Sequence, residues 1–189
     1  MSSIQIKLKI QNVFETPLFM NTVKEYFQNI FPKIFEKYNT TPAKGGTIFE
    51  KYSDMSYPMH ILNGILPAML YLEQKLLENE YTSELVKKKE SDIKMLINCT
   101  LVGITLHDIN KMVGKSNLVE SLEYLNEVLN ELELELSEEE KNIVKYLIVG
   151  AENGTRYIIP DIELPKRRNL DRVIKDYLLD VVHLADSIS

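Results

Sequence analysis

Asp92-Ile-Lys-Met-Leu-Ile-Asn-Cys-Thr-Leu-Val-Gly-Ile-Thr-Leu-His-Asp-Ile-Asn-Lys111 is a strongly apolar helical pattern that ends in an adjacent imidazole and carboxylate. Ile93, Leu96, Ile97, Leu101 and Ile104 recur at three- and four-residue steps, which predicts a core helix from Asp92 to His107. His107 and Asp108 close it, both able to turn toward one cation. A carboxylate placed directly after Ile104, Leu106 and His107 is costly to desolvate without a partner. A metal ion is one partner that also accounts for the neighbouring histidine.

The pair alone is not specific, so the surrounding chain must supply more ligands. His60 lies on an apolar helical pattern upstream, and Asp186 lies on another at the C-terminal end. The order His…His-Asp…Asp thus draws four ligand groups from three helical segments. Plainer readings stand beside this one: His60 also reads as a core histidine with a satisfied hydrogen bond, and Asp186 as a solvated helix-end acid. His183, one turn before Asp186, reads as a neighbour of the site or a surface residue. Lys111, at the spacing His-Asp-x-x-Lys, suits a phosphate contact or a leaving oxygen, and equally a solvated lysine on the helix dipole. Lys115, Asn63 and Asn110 are candidate substrate contacts, and Asp54 a candidate auxiliary carboxylate.

The rest of the pattern is mostly helical. Leu18 to Phe35 is amphipathic, with Pro32 expected to divide it. Thr40 to Thr47 reads as a loop; its Lys44-Gly45-Gly46-Thr47 lacks phosphate-loop spacing. Met59 to Leu77 reads as a helix, with Pro67 predicting a bend near His60 and Asn63. Residues 79 to 91 read as polar chain with a turn, and Leu118 to Leu132 as one amphipathic helix ahead of the Ser137/Glu140 capping box. Gly154 closes the helix that the box opens. A short β excursion is expected near 155–163, limited by Pro160, and a last helix runs from Leu170 with Val173, Ile174, Tyr177, Leu178, Val181 and Ala185 inward. The expectation is a single all-α domain over 1–189: a helical extension over 1–50 and a helical-bundle core over 54–189.

With 189 residues, 44% hydrophobic and 26% charged, the chain suits one globular core. Cys99 falls in an apolar run and reads as a buried small hydrophobe; with no second cysteine there is no internal disulfide, which fits a reducing, cytoplasmic compartment. The N-terminus has no apolar h-region, and no apolar run approaches the roughly 18 residues that cross a bilayer, so no membrane is implied. The net charge of −6 argues against a broad nucleic-acid surface. The charge is uneven, however: residues 131–140 are strongly acidic, while Lys166-Arg167-Arg168, Lys111 and Lys115 are local bases that could border a substrate groove.

Four ligands in this order, His-Asp-x-x-Lys, and a last helix closing on Ala185-Asp186-x-x-Ser189 resemble the HD superfamily of metal-dependent phosphohydrolases. Asp54-Met-Ser-Tyr-Pro-Met-His60-Ile-Leu-Asn-Gly-Ile-Leu-Pro67, and Thr105-Leu-His-Asp-Ile-Asn-Lys111 in place of the commoner His-Asp-Ile-Gly-Lys, resemble more closely the N-terminal HD nuclease domain of the type I-D CRISPR effector large subunit. The resemblance covers roughly Asp54 to Ser189. It implies an HD-type bundle in which His60, His107, Asp108 and Asp186 hold a metal, with Asp108 and Lys111 as catalytic residues, the lysine helping to neutralise developing charge. It also implies single-stranded DNA as substrate, with a larger CRISPR effector complex and a helicase as partners. Imidazole and carboxylate ligands suit Mn, Ni, Co, Fe or Zn. Many HD nucleases carry two more histidines before the final aspartate; here none lies between Asp108 and His183, so one ion, or a weakly held pair, is expected. An HD phosphohydrolase acting on a nucleotide or cyclic nucleotide, and a non-catalytic docking module, are the rival readings. The end of the chain three residues after Asp186 suggests a domain of something larger.

Overall fold

In the computed structural model, which describes residues 14–43, 56–78, 89–153 and 162–188, the regular structure is helical, and the fold is all-α. Among the described residues there is no strand; one isolated bridge pairs Pro42 with Ser56. Most of the excursion expected near 155–163 lies outside the described residues, as do Gly154, Asp54 and residues 44–47.

The helices are α1 Pro17–Asn29, α2 Phe31–Tyr38, α3 Tyr57–Glu78, α4 Glu90–Leu106, α5 Ile109–Met112, α6 Leu118–Ser121, α7 Leu125–Glu131, α8 Glu138–Asn153, α9 Leu170–Val173 and α10 Leu179–Ile188. Pro32 divides the first segment as expected, since its ring cannot continue the preceding hydrogen-bond ladder; the break falls at Ile30. α1 and α2 belong to the same core as the rest, through buried Phe19, Val23, Tyr26, Phe31 and Ile34. α3 remains one helix through Pro67. Ser137 and Glu140 form the expected capping box: the Glu140 carboxylate accepts from Ser137 N–H at 2.9 Å, and Glu140 N–H donates to Ser137 Oγ at 3.3 Å. Cys99 is buried.

Two elements differ from expectation. Leu118 to Leu132 is not one helix but α6, a 3₁₀ turn over Leu122–Tyr124, and α7. Asn117 caps α6 through Val119 N–H, and the Leu122 N–H is shared among nearby carbonyls, which tightens the turn. The last helix carries a π-helical turn over Ile174–Leu178 between α9 and α10. That wider turn lets neighbouring Leu178 and Leu179 both be buried, while Tyr177 is only half-buried.

α4 lies at the centre, its Ile93, Leu96, Ile97, Leu101 and Ile104 all buried, with α1, α3, α8 and α10 packed on it. Glu73 fastens α1 to α3. Its buried carboxylate accepts from Glu15 N–H at 3.0 Å, from Thr16 N–H at 2.8 Å and from Thr16 Oγ1 at 2.8 Å. Among the described residues, no helix is long and apolar enough to cross a membrane.

Glu73→Met keeps the volume and removes all three acceptors, leaving two main-chain donors unpaired beside the core. The expected loss of stability is about 2–3 kcal/mol, read by urea unfolding. An unchanged midpoint would show that this carboxylate does not anchor α1.

Candidate metal centre

Three helix ends meet at one point because of contacts that lock α3, α4 and α10 together. Tyr57, the first residue of α3, is fully buried and donates its hydroxyl to the Thr105 carbonyl at 2.5 Å, in the last turn of α4. Thr105 Oγ1 donates to the Leu101 carbonyl at 2.7 Å, so Tyr26 donates its hydroxyl to Thr105 Oγ1 at 2.6 Å. Burial, then the nearby Asp108 charge, raises the Tyr57 pKa well above that of a free phenol, so it stays a donor. α4 therefore ends at a fixed place, with His107 as its C-cap and Asp108 outside helical geometry at φ −106° and ψ 37°. From Tyr57, His60 follows one turn along α3.

Gly64, one further turn along, meets α10. A Cβ there would stand 2.6 Å from the Ala185 carbonyl oxygen. Only a residue without a side chain allows this approach, and it brings Asp186, next in the chain, over His60.

His60 Nε2 and His107 Nε2 face each other at 3.1 Å. Asp186 Oδ1 lies 3.3 Å from His107 Nε2 and 3.7 Å from His60 Nε2. One ligand atom from each of these three residues lies within 4.8 Å of the others. Asp108 joins from the side, its Oδ2 3.4 Å from His107 Nε2 and 3.9 Å from His60 Nε2. Ligand atoms about 2.1 Å from a common tetrahedral ion lie roughly 3.4 Å from one another. The spacing and the donor types, two imidazole nitrogens and carboxylate oxygens, therefore fit a divalent transition metal.

The electrostatics agree. His107 Nδ1 lies 2.7 Å from the Ile104 carbonyl and donates to it, which turns Nε2 to the cluster. Burial works against charge on His107, but the Asp186 hydrogen bond and the Asp108 carboxylate outweigh it, and the pKa rises. Burial, then His107, lowers His60 to about 4, so this ring is neutral at physiological pH. The His107 bond, working against partial burial, lowers Asp186. A proton held at His107 and a divalent cation compete for the same atoms, because ligation needs neutral rings and ionised carboxylates. The imidazoles are buried and the Asp186 side chain is 46% exposed, so the cluster has a closed floor and an open rim.

The other sequence candidates divide. Lys111 donates its ammonium to Asp108 Oδ2 and to the Ala43 carbonyl, at the edge of the cluster. The Oδ1 of Asn110 is buried with no hydrogen-bond partner among the described residues. Asn63 is exposed on α3. The Lys115 ammonium sits over the Tyr124 ring at 5.3 Å instead of at the cluster. His183 stands outside the three-ligand group. The basic triplet does not border the site: Arg168 pairs with Asp92, and Arg167 with Glu139 and, at 3.6 Å, Asp92. Asp92 lies fifteen positions before His107 on α4, about 22 Å at the helical rise, so these opposite charges attract the arginines to the far end. The sequence reading missed Tyr57, Tyr26 and Gly64. Tyr57, three residues before His60 at the helix start, was the one with a visible signal.

Comparison with protein-family models, curated proteins and solved structures finds no match to this chain.

Gly64→Ala places a methyl group against main chain that cannot yield, and so pushes α10 from α3. Stability is expected to fall by about 1–3 kcal/mol. Calorimetric titration with Mn²⁺ should show affinity at least about ten-fold weaker. Wild-type affinity in a folded Gly64→Ala protein would dissociate the helix contact from the cluster.

Proposed function

We propose that the chain is a divalent-metal-dependent phosphohydrolase that cleaves phosphodiester bonds, with single-stranded DNA as its substrate. The observation that carries this reading is the convergence of His60 Nε2, His107 Nε2 and Asp186 Oδ1 from three helices, at 3.1, 3.3 and 3.7 Å from one another. His60, His107 and Asp186 hold the ion, with Asp108 beside them. The ion's chemistry is to acidify a water and to neutralise charge on a phosphoryl group.

Each surrounding residue has a part. The Ile104 carbonyl fixes the His107 ring, and Tyr57 fixes the helix end that carries it. Burial of the two imidazoles excludes water from beneath the cluster, while the open rim at Asp186 admits a substrate that continues beyond the site. Lys111 supplies the one local positive charge among the bases singled out from sequence. Its carriers in the cell, on the resemblance to type I-D CRISPR nuclease domains, are a larger effector complex and a helicase in the cytoplasm. Among the described residues Lys111 is the base that acts on His60 and Asp186, which supports delivery of DNA by such partners, since phosphate contacts dominate unaided nucleic-acid affinity.

A second reading, hydrolysis of a nucleotide or cyclic nucleotide, is favoured by the same observation, that one base acts on the cluster among the described residues: a small substrate needs few phosphate contacts. The test is hydrolysis of single-stranded DNA, duplex DNA, mononucleotides and cyclic nucleotides with Mn²⁺ or Ni²⁺, by wild type and His60→Ala. The expected result is cleavage of single-stranded DNA that falls about 100-fold or more in His60→Ala. Turnover of nucleotides without strand cutting selects the second reading. No ion-dependent turnover of any substrate leaves a docking module.

A further inference from the structure

Resting on the metal-dependent reading above, we infer that the Lys111 ammonium occupies the place of a second cation and restricts the centre to one divalent ion. Its surroundings are those of a metal and not of a free phosphate-binding lysine. Nζ is held by a carboxylate oxygen, Asp108 Oδ2, and by a main-chain carbonyl oxygen, that of Ala43. Oxygen donors of these two kinds are what hard divalent cations take, with water completing the shell. Lys111 is 28% and Asp108 19% exposed by side chain, so the pair is partly withdrawn from solvent screening.

The position is also right. Asp108 Oδ2 lies 3.4 and 3.9 Å from the two imidazole nitrogens, and the ammonium sits on that same oxygen. Asp108 thus stands between the His60–His107–Asp186 group and Lys111, as a bridging carboxylate stands between two cations. It falls outside the group of three mutually close ligands. The charge count agrees: one divalent ion cancels Asp108 and Asp186, and Lys111 leaves the group of these residues and the ion with one net positive charge. With a second divalent ion beside Lys111, five positive charges would face the two carboxylates and three would be left uncancelled, at a Coulombic cost of several-fold in affinity even with strong screening.

The test counts bound ions without reference to activity. Mn²⁺ bound per chain is measured from the loss of the free-ion paramagnetic resonance signal, up to roughly millimolar Mn²⁺. The proteins are wild type, Lys111→Arg, Lys111→Met and Lys111→Gln, each shown folded by circular dichroism. Gln retains a donor for the Ala43 carbonyl without the charge, and so keeps the test valid should Met disturb the fold. Wild type and Lys111→Arg should saturate at one equivalent; Lys111→Met and Lys111→Gln should take up a second. Saturation of the uncharged variants at one equivalent, or of wild type at two, overturns the inference and leaves the metal-dependent reading standing. Failure of all four to bind overturns that reading itself.

Discussion

Two buried imidazoles whose Nε2 atoms face each other across 3.1 Å cannot both point a proton into the gap. The site is organised around that constraint. One ring is pushed toward neutrality by burial and the other is held toward charge by two carboxylates, so the cluster favours a single positive species among its atoms. A divalent cation satisfies both lone pairs and both carboxylates at once, which no arrangement of one proton does. The helices follow from the same demand. Gly64 lets α10 approach α3 closely enough for Asp186 to reach the rings, and the Tyr57–Thr105 bond fixes the end of α4.

The arrangement separates rigid from accessible parts. His60 and His107 sit on long helices that contribute to the core, so their positions are set by apolar packing around Ile61, Ile65, Leu101 and Ile104. Asp186 and Lys111 are the more exposed members of the cluster, at 46% and 28% by side chain. Such a division gives the cluster a rigid floor of imidazoles and an accessible rim. The arginines at the far end of α4 serve another purpose: they neutralise Asp92 and Glu139 at the helix starts.

Much of the fold was legible because helix periodicity is a local signal. The stripes of α3 and α4, the break at Pro32 and the Ser137–Glu140 box could each be read from residues within one or two turns. Two of the candidate ligands, His60 and His107, were legible for a related reason: polar residues at core positions stand out against apolar neighbours. What escaped was contact across distance. Gly64 has no mark in sequence to distinguish it from an ordinary helix glycine, and its meaning appears only against Ala185. The π-helical turn before α10 is a register choice imposed by burying both Leu178 and Leu179. Lys166 to Arg168 looked available to a substrate because the partners of Arg167 and Arg168, Asp92 and Glu139, are remote in the chain.

The central claim is that His60, His107 and Asp186 hold one ion at a common point. X-ray absorption spectroscopy of the protein loaded with one equivalent of Zn²⁺ measures this directly, in wild type and in His107→Ala. The account expects nitrogen and oxygen neighbours at about 2.0–2.1 Å, with outer-shell scattering from two imidazoles in wild type and from one in His107→Ala. A spectrum without imidazole scattering, or one that His107→Ala leaves unchanged, would contradict it.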